Sequence, residues 1–236
     1  MPQTLGILGG LGPMATVYFY DMLVRHTKAT CDQDHLDVII SSRASTPDRT
    51  SYILGQSTEN PFDIMARDAQ RLVTFGADVL AIPCNTAHYF YDRLNETISV
   101  PILNMVEETV LEAKARGCCR VGILATSGTV QTGTYSRMCE RHGLEFVCPD
   151  EARQQDLMNV IYGDIKQGKR PDMARFFAVA DSLKRQGCTR MILGCTELSI
   201  IKKDEQLDAF YIDSMSVLAK NAITTFGRTP IGFEKE

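Results

Sequence analysis

Residues 76–86 read GADVLAIPCNT, a short apolar run that ends in a lone cysteine and polar residues. The run at 79–82 has the length and composition of a buried strand. Polar residues begin at Cys84, and 86–94 is predicted to be a helix. A strand, a turn and a helix in this order form the repeating unit of a parallel α/β sheet, so the stretch predicts that fold class.

The same alternation of short apolar runs and longer periodic segments continues along the chain. The predicted strands are 5–8, 37–41, 79–82, 101–103, 120–124, 145–147, 190–193 and 209–212. Helices are predicted at 61–74, 86–94, 106–116, 172–185 and 215–225. Strands that are continuously apolar and separated by helices indicate parallel sheets covered on both faces.

A weak internal repeat divides the chain. LGILGGLG at 5–12 resembles VGILATSG at 121–128, and the opening stretch resembles GCTRMILGCTE at 187–197. A third pair, ILNM at 102–105 and YIDS at 211–214, follows in the same order. We therefore predict an α/β fold of two pseudo-symmetric, doubly wound lobes with mainly parallel sheets and an active site in the cleft between them. The N-terminal lobe is predicted to be discontinuous, 1–105 plus 213–236, and the C-terminal lobe to be 106–212.

The composition limits the possible partners. The chain has 236 residues, 44% of them hydrophobic, which is enough for a sizeable core. A net charge of −4 without a basic run argues against nucleic acid and against an anionic membrane surface. The first residues lack the charged and long apolar regions of a signal peptide, and no apolar stretch approaches membrane-spanning length. We expect a soluble, cytoplasmic protein.

The repeat separates two cysteines from the other six. A chain of this length without an export signal favours free thiols over a disulfide framework. No CxxC spacing occurs, so no metal site is predicted. The repeat puts Cys84 and Cys195 in equivalent places, each at the end of a strand and the start of a helix, where parallel sheets bind ligands. A structural role is predicted for the six others, Cys31, Cys118, Cys119, Cys139, Cys148 and Cys188.

The residues next to these two cysteines suggest what the thiols do. Asn85 or Thr86, and Thr196, are suitable N-cap residues. A helix N-terminus lowers the pKa of a nearby thiol and can hold a carboxylate. Two opposed thiols of this kind could move a proton from one face of a carbon to the other without a cofactor.

Four motifs carry a resemblance to a known family. GGLGPMAT at 9–16, PDRT at 47–50, PCNTAH at 83–88 and GCTEL at 194–198 closely resemble the aspartate racemase branch of the aspartate/glutamate racemase superfamily. The resemblance implies racemisation of aspartate, with glutamate as a further substrate, in a homodimer that needs no pyridoxal phosphate. Glutamate racemases typically open with Asp-Ser-Gly and carry histidine after the second Cys-Thr. The corresponding GGLG and GCTE of this chain favour aspartate.

The resemblance also implies residue roles. Cys84 and Cys195 match the catalytic thiols, and Arg49 and Lys166 match the cations that hold the side-chain carboxylate of a small acidic amino acid. The residues matched to the α-carboxylate are Asn85, Thr86 and Thr196, with Thr126 beside them; candidates for supporting positions are Gly10, Met14, His88 and Glu197.

Several of these roles compete with a simpler interpretation. Taken alone, Lys166 is also a helix-end lysine. His88 could orient the thiol or the substrate, or be a packed helix histidine. Glu197 could orient a neighbour, or only complement a helix N-terminus.

The sequence is also compatible with different functions. GLGPMA at 10–15 fits the GxGxxA fingerprint of a dinucleotide site. However, the next strand ends in Ser41-Ser42-Arg43 without an acidic residue for a ribose, and Pro13 removes a phosphate-binding N–H. Hydantoin racemase activity, maleate isomerase activity and non-catalytic binding of an acidic ligand would each use the same two-lobed scaffold.

Overall fold

The computed structural model of the chain describes residues 3–233. They form two compact units, one of residues 3–105 and 215–233 and one of residues 106–214. Residues 1–2 and 234–236 of the predicted N-terminal lobe lie outside the described residues. The chain returns to the first unit at Met215, two residues later than predicted. Ser214 still belongs to the second unit, where its Oγ donates to the Leu193 carbonyl at 2.7 Å.

The helices and strands follow the predicted alternation. The strands are β1 Thr4–Gly9, β2 Asp37–Ser42, β3 Val79–Ala81, β4 Arg120–Ala125, β5 Glu145–Val147, β6 Arg190–Gly194 and β7 Tyr211–Asp213. The α-helices are α1 Pro13–His26, α2 Arg49–Ile53, α3 Phe62–Thr74, α4 Tyr91–Asn95, α5 Met105–Ala115, α6 Ser127–Gln131, α7 Thr134–His142, α8 Glu151–Met158, α9 Met173–Arg185, α10 Thr196–Asp204 and α11 Ser214–Thr225.

The first unit contains a parallel three-stranded sheet in the order β2-β1-β3. Alternate residues of a strand point to opposite faces. Leu5 and Ile7 of β1 accordingly share a buried cluster with residues of α1 and α11. Leu8 lies in a second cluster, with residues of α3 and α4. Helices therefore cover both faces of the sheet, as predicted.

The second unit repeats this order in a parallel four-stranded sheet, β5-β4-β6-β7. Leu124 and Leu193 pack in a buried cluster with residues of α8, α9 and α10. Tyr135 of α7 lies against β6 so closely that a Cβ on Gly194 would come within 2.8 Å of its ring. In both units the first strand is central, the second lies on one side and the third on the other, as the sequence repeat implies.

Two strand predictions are wrong in extent. The predicted strand 101–103 is only a single bridge between Leu80 and Ile102, with Leu80 N–H bonded to the Pro101 carbonyl at 2.9 Å. Pro101 has no N–H to continue a ladder. The predicted strand 209–212 begins later, as β7. Among residues 3–233, no helix has both the length and the hydropathy required to cross a bilayer.

The predicted helix 86–94 is confirmed in its position, but its first half has a different winding. The chain forms a 3-10 helix at Thr86–Phe90 and then the short α4. In the 3-10 part, the His88 N–H bonds to the Asn85 carbonyl at 3.0 Å, three residues back instead of four. Apolar periodicity does not distinguish these two windings over so few residues.

Candidate active site

In the first unit, the loops that follow β1, β2 and β3 lie at one edge of the sheet because the strands are parallel. Arg49 connects two of these loops, since its Nη2 donates to the Leu11 carbonyl at 2.8 Å. Leu11 and Cys84 belong to the same buried cluster. The structure therefore brings the predicted residues Arg49 and Cys84 to one edge of the first unit.

Cys84 lies in a tight turn after β3. Its N–H bonds to the Ile82 carbonyl at 2.7 Å, across Pro83. Asn85 occupies the N-cap position of the 3-10 helix, as predicted, but its side chain makes no capping hydrogen bond. Asn85 has helical backbone angles, φ −61° and ψ −45°, instead of the extended conformation of a capping residue, and Thr86 already belongs to the 3-10 helix. Both residues are buried and directly follow Cys84 in the chain.

Arg49 is a buried cation, 6% exposed, held by backbone carbonyls. Nη1 donates to the carbonyls of Thr46 at 3.2 Å and Pro47 at 2.8 Å, and Nη2 donates to that of Leu11. Within residues 3–233, Nε has no acceptor although it is buried. These contacts use three of the five guanidinium N–H groups. The Nε–H and one Nη2–H remain, and guanidinium N–H groups are well suited to binding a carboxylate.

His88 contacts the backbone through both ring nitrogens. Nδ1 lies 2.9 Å from the Cys84 carbonyl oxygen, and Nε2 lies 3.1 Å from the Met105 nitrogen. Burial lowers the pKa of His88 from its usual value, an effect that hydrogen bonds with the Cys84 and Leu103 backbone oppose only in part. The imidazole is therefore neutral in the folded protein near pH 7.

Gly10 and Met14 lie in and after the loop that follows β1. Gly10 has φ +77°, and a Cβ there would collide with the Arg43 backbone. Its N–H donates to Thr16 Oγ1 at 2.9 Å. That N–H is thus bonded within the protein, which disfavours the dinucleotide interpretation of this glycine-rich turn. Met14 is 67% exposed on α1.

In the second unit, Cys195 itself occupies the N-cap position of α10, with φ −146° and ψ 131°. Thr196 is the first helical residue, so its predicted role as the cap is wrong. The Cys195 Sγ donates to Glu197 Oε2 at 2.9 Å. Thr196 Oγ1 lies 3.5 Å from the same oxygen. The thiol, the hydroxyl and the carboxylate thus form one buried polar cluster.

Lys166 joins this cluster from a distant part of the chain. A π-helical stretch, Asn159–Asp164, leads into a single 3-10 turn, Ile165–Gln167. The Lys166 Nζ lies 3.6 Å from Glu197 Oε1 and 4.3 Å from the centre of the Tyr162 ring. π-Helical turns are often found at functional sites. The structure therefore brings Lys166 to Cys195 through Glu197.

The protonation state of Cys195 differs from the sequence-based expectation. Burial raises the pKa of the Cys195 thiol well above its ordinary value, the negative charge of Glu197 raises it further, and Lys166 opposes the change. The expected lowering by the helix N-terminus is wrong for this thiol, because loss of solvation and a like charge outweigh the helix dipole. Cys195 therefore carries its proton in the unliganded protein.

Comparison with known proteins then identifies the family. Residues 8–222 match the Asp/Glu/hydantoin racemase family. The chain belongs to this family. It is 29% identical over 229 residues to the broad-specificity amino-acid racemase RacX of Bacillus subtilis, an alignment covering 94% of this chain and 97% of that protein. It is 28% identical over 185 residues to the glutamate racemase of Aquifex pyrophilus, covering 70% of this chain and 69% of that protein.

Comparison with solved structures leads to the same family. The aspartate racemase of Picrophilus torridus superposes with a TM-score of 0.82 at 28% identity, covering 97% of this chain and 96% of that chain. The chain is accordingly an isomerase, an amino-acid racemase with an α/β fold of parallel sheets.

Thr126 directly follows β4 in the racemase. It is the N-cap of α6, where its Oγ1 accepts from the Thr129 N–H at 3.3 Å. Gln154 of α8, which sequence reasoning missed, donates from Nε2 to the Ala125 carbonyl at 2.9 Å and to Ser127 Oγ at 3.3 Å. Nothing in the polar run that contains Gln154 distinguishes it from a surface residue.

Of the six other cysteines, Cys139 and Cys188 are buried, Cys118 and Cys148 are partly buried, and Cys31 and Cys119 are exposed. All eight cysteines lie among the described residues and are free thiols, as expected. Burial raises the pKa of Cys139 to about 12 and also raises those of Cys118, Cys148 and Cys188. High pKa values make thiols poor nucleophiles near neutral pH. Across residues 3–233, His, Cys, Asp and Glu form no group of three or more that could hold a metal ion.

Proposed function

We propose that this racemase interconverts L- and D-aspartate by moving the α-proton between Cys84 and Cys195, without a cofactor. The observation that carries the choice of an acidic substrate is the buried fork of Arg49, whose Nε–H has no acceptor in the described chain. A buried N–H without an acceptor costs about 1–3 kcal/mol, which a substrate carboxylate would offset.

In the proposed reaction, the Cys84 thiolate removes the α-proton from one face of the substrate carbon. The Cys195 S–H then gives its proton to the opposite face, and the electron pair of the S–H bond stays on sulfur. After turnover, Cys84 holds the proton and Cys195 is the thiolate. The raised pKa of Cys195 supports this starting state, because that thiol is protonated before substrate arrives.

The reverse reaction requires a thiolate at Cys195. Lys166 supports its formation, because its positive charge lowers the thiol pKa and pairs with Glu197. Lys166 also carries the charge needed to pair with a substrate carboxylate. In this proposal Arg49 and Lys166 hold the side-chain carboxylate, while Asn85, Thr86, Thr126 and Thr196 hold the α-carboxylate.

Aspartate is the preferred substrate in this proposal, with glutamate as a further one. The GGLG and GCTE motifs and the similarity to an aspartate racemase of known structure support that choice. The related RacX is named for broad specificity, so a wider range of amino acids is the main competing hypothesis. We also propose a cytoplasmic homodimer, which the resemblance implies.

The test is chiral chromatography of L- and D-aspartate incubated with the purified protein under reducing conditions. The native protein should convert each enantiomer to a racemic mixture, and Cys84→Ser and Cys195→Ser should not. Cys119→Ser is the matched control, because Cys119 is an exposed thiol without a proposed role. Full activity in either site variant would refute the two-thiol mechanism. Parallel reactions with glutamate, asparagine and alanine measure specificity.

A further inference from the structure

His88 is a buried imidazole with a fixed hydrogen-bond pattern. Its side chain is 5% exposed, and the Met105 N–H points to Nε2 at 3.1 Å. A backbone N–H can only donate, so in this contact Nε2 is the acceptor. The Leu103 backbone also bonds to the ring and favours its protonated form, so the inferred tautomer rests on the geometry at Nε2. The proton of the neutral ring is then on Nδ1, which donates to the Cys84 carbonyl at 2.9 Å.

The 3-10 winding of residues 86–90 explains why Cys84 needs this donor. In an α-helical turn the Cys84 carbonyl would accept the N–H of His88, four residues later. Here that N–H is bonded to the Asn85 carbonyl instead. The His88 side chain therefore supplies the N–H donor that the Cys84 carbonyl lacks in this turn.

The other nitrogen connects Cys84 to α5. Met105 is the first residue of α5, and its N–H is one of those that have no acceptor within their own helix. His88 Nε2 accepts it. The ring also stacks on Tyr91, with ring centres 5.9 Å apart and planes 8° from parallel, and the Tyr91 hydroxyl donates to the Ile102 carbonyl. The imidazole is therefore held on both edges and one face.

We infer that His88 is a positioning residue for Cys84: its Nδ1–H fixes the Cys84 carbonyl, and thereby the direction of the thiol, while Nε2 anchors the ring to the start of α5. His88 carries no proton to or from the substrate, because both ring nitrogens are bonded to backbone groups. The effect on catalysis rests on the proposed racemase reaction. The inference of a fixed neutral tautomer does not depend on that reaction.

The first test is nitrogen NMR of the histidine rings in the native protein, which does not depend on activity. The four histidines are assigned with single His→Gln variants. The His88 ring should show the Nδ1–H tautomer and stay neutral from about pH 8 down to about pH 6, where an ordinary histidine begins to titrate. An Nε2–H tautomer, or titration with an ordinary midpoint, would overturn the inference.

The second test measures proton removal by Cys84 alone. In a Cys195→Ser background, Cys84 remains as the single base, and deuterium uptake from D2O at the α-carbon of one enantiomer reports its rate. His88→Gln can place an acceptor near the Nε2 position but loses the donor to Cys84. His88→Asn can keep that donor and loses the bond to Met105. His142→Gln is the control, since His142 pairs with Glu107 elsewhere in the second unit.

His88→Gln should lower the exchange rate constant by about 10–100-fold, as expected when a supporting hydrogen bond that orients a reacting group is lost. KM should change by less than about twofold and the shape of the pH profile should stay the same. His88→Asn should lose less than His88→Gln. Rates equal to the control in both variants, or loss of one limb of the pH profile, would contradict the inference.

A third readout separates this inference from the proposed function. The alkylation rate of Cys84 by iodoacetamide, followed by mass spectrometry, reports the position of the thiol without any substrate. It should change in His88→Gln and remain native in His142→Gln. If the native protein does not racemise aspartate, the proposed function fails, while the tautomer and alkylation results still decide the role of His88. If Cys84 is alkylated in His88→Gln at the same rate as in the native protein, that role is refuted.

Discussion

Arg49→Met should remove most of the preference for an acidic side chain. The Arg49 guanidinium uses three N–H groups on the carbonyls of Leu11, Thr46 and Pro47, which leaves the Nε–H and one Nη2–H for a ligand. Each hydrogen bond to a charged group contributes about 1.5–3 kcal/mol, so the pair contributes about 3–6 kcal/mol. Because about 1.4 kcal/mol is a factor of ten, the kcat/KM ratio of aspartate over asparagine should fall about 10²–10⁴-fold.

The assay is chiral chromatography with both substrates, after urea unfolding has established the folded fraction. That control is needed because Arg49→Met also leaves three carbonyls without donors, at about 1–3 kcal/mol each where water does not replace the bond. Arg43→Met is the matched comparison, since Arg43 Nη2 is bonded to Asp68 at 2.8 Å. It should lose stability and keep the preference. An unchanged preference in Arg49→Met would refute the role of Arg49.

Three further predictions concern charge and geometry. Glu197→Gln should move the alkylation profile of Cys195 to lower pH, because it removes a negative charge that raises the thiol pKa; an unchanged profile in mass spectrometry would contradict this. Arg43 holds the pKa of Asp68 below its usual value, so this carboxylate stabilises the folded protein above its unfolded pKa and loses that effect as pH falls through its folded pKa. Asp68→Asn should therefore lower the free energy of unfolding by about 1–2 kcal/mol at pH 7, because the two arginines that it leaves are partly solvated, and by less below about pH 4; an equal loss at both pH values in urea titrations would be inconsistent with it. A crystal structure with bound aspartate should place the Cys84 and Cys195 sulfurs about 7 Å apart, since each reacting sulfur must lie about 3–3.5 Å from its target; a separation above about 10 Å would exclude direct transfer by both.

The strands could be predicted because buried parallel strands are continuous apolar runs with abrupt ends. The turn after β3 could not, since its winding depends on a tertiary contact. The Cys84 carbonyl finds its donor in the His88 side chain, which is itself anchored by Met105. The residue preferences at 86–94 do not indicate that arrangement. The strand predicted at 101–103 failed for a local reason that the sequence does show, the missing N–H of Pro101.

The site was predictable where two similar motifs repeat and where one residue type is suited to one task. Cys84 and Cys195 stood out through the repeat, and Arg49 through the resemblance. The contact between Lys166 and Glu197 was not predictable, because it depends on how the π-helical stretch winds before Lys166. The high pKa of Cys195 also follows from burial and from a carboxylate orientation that the sequence does not reveal.

Deuterium incorporation by the single-thiol variants tests the two-thiol account most directly. L- and D-aspartate are incubated in D2O with Cys84→Ser and with Cys195→Ser under reducing conditions, and α-deuterium is measured by mass spectrometry for each enantiomer. We predict that each variant exchanges only one enantiomer, that the two variants select opposite enantiomers, and that the native protein exchanges both. A single-thiol variant that exchanges both enantiomers, or a native protein that exchanges neither, would contradict the account.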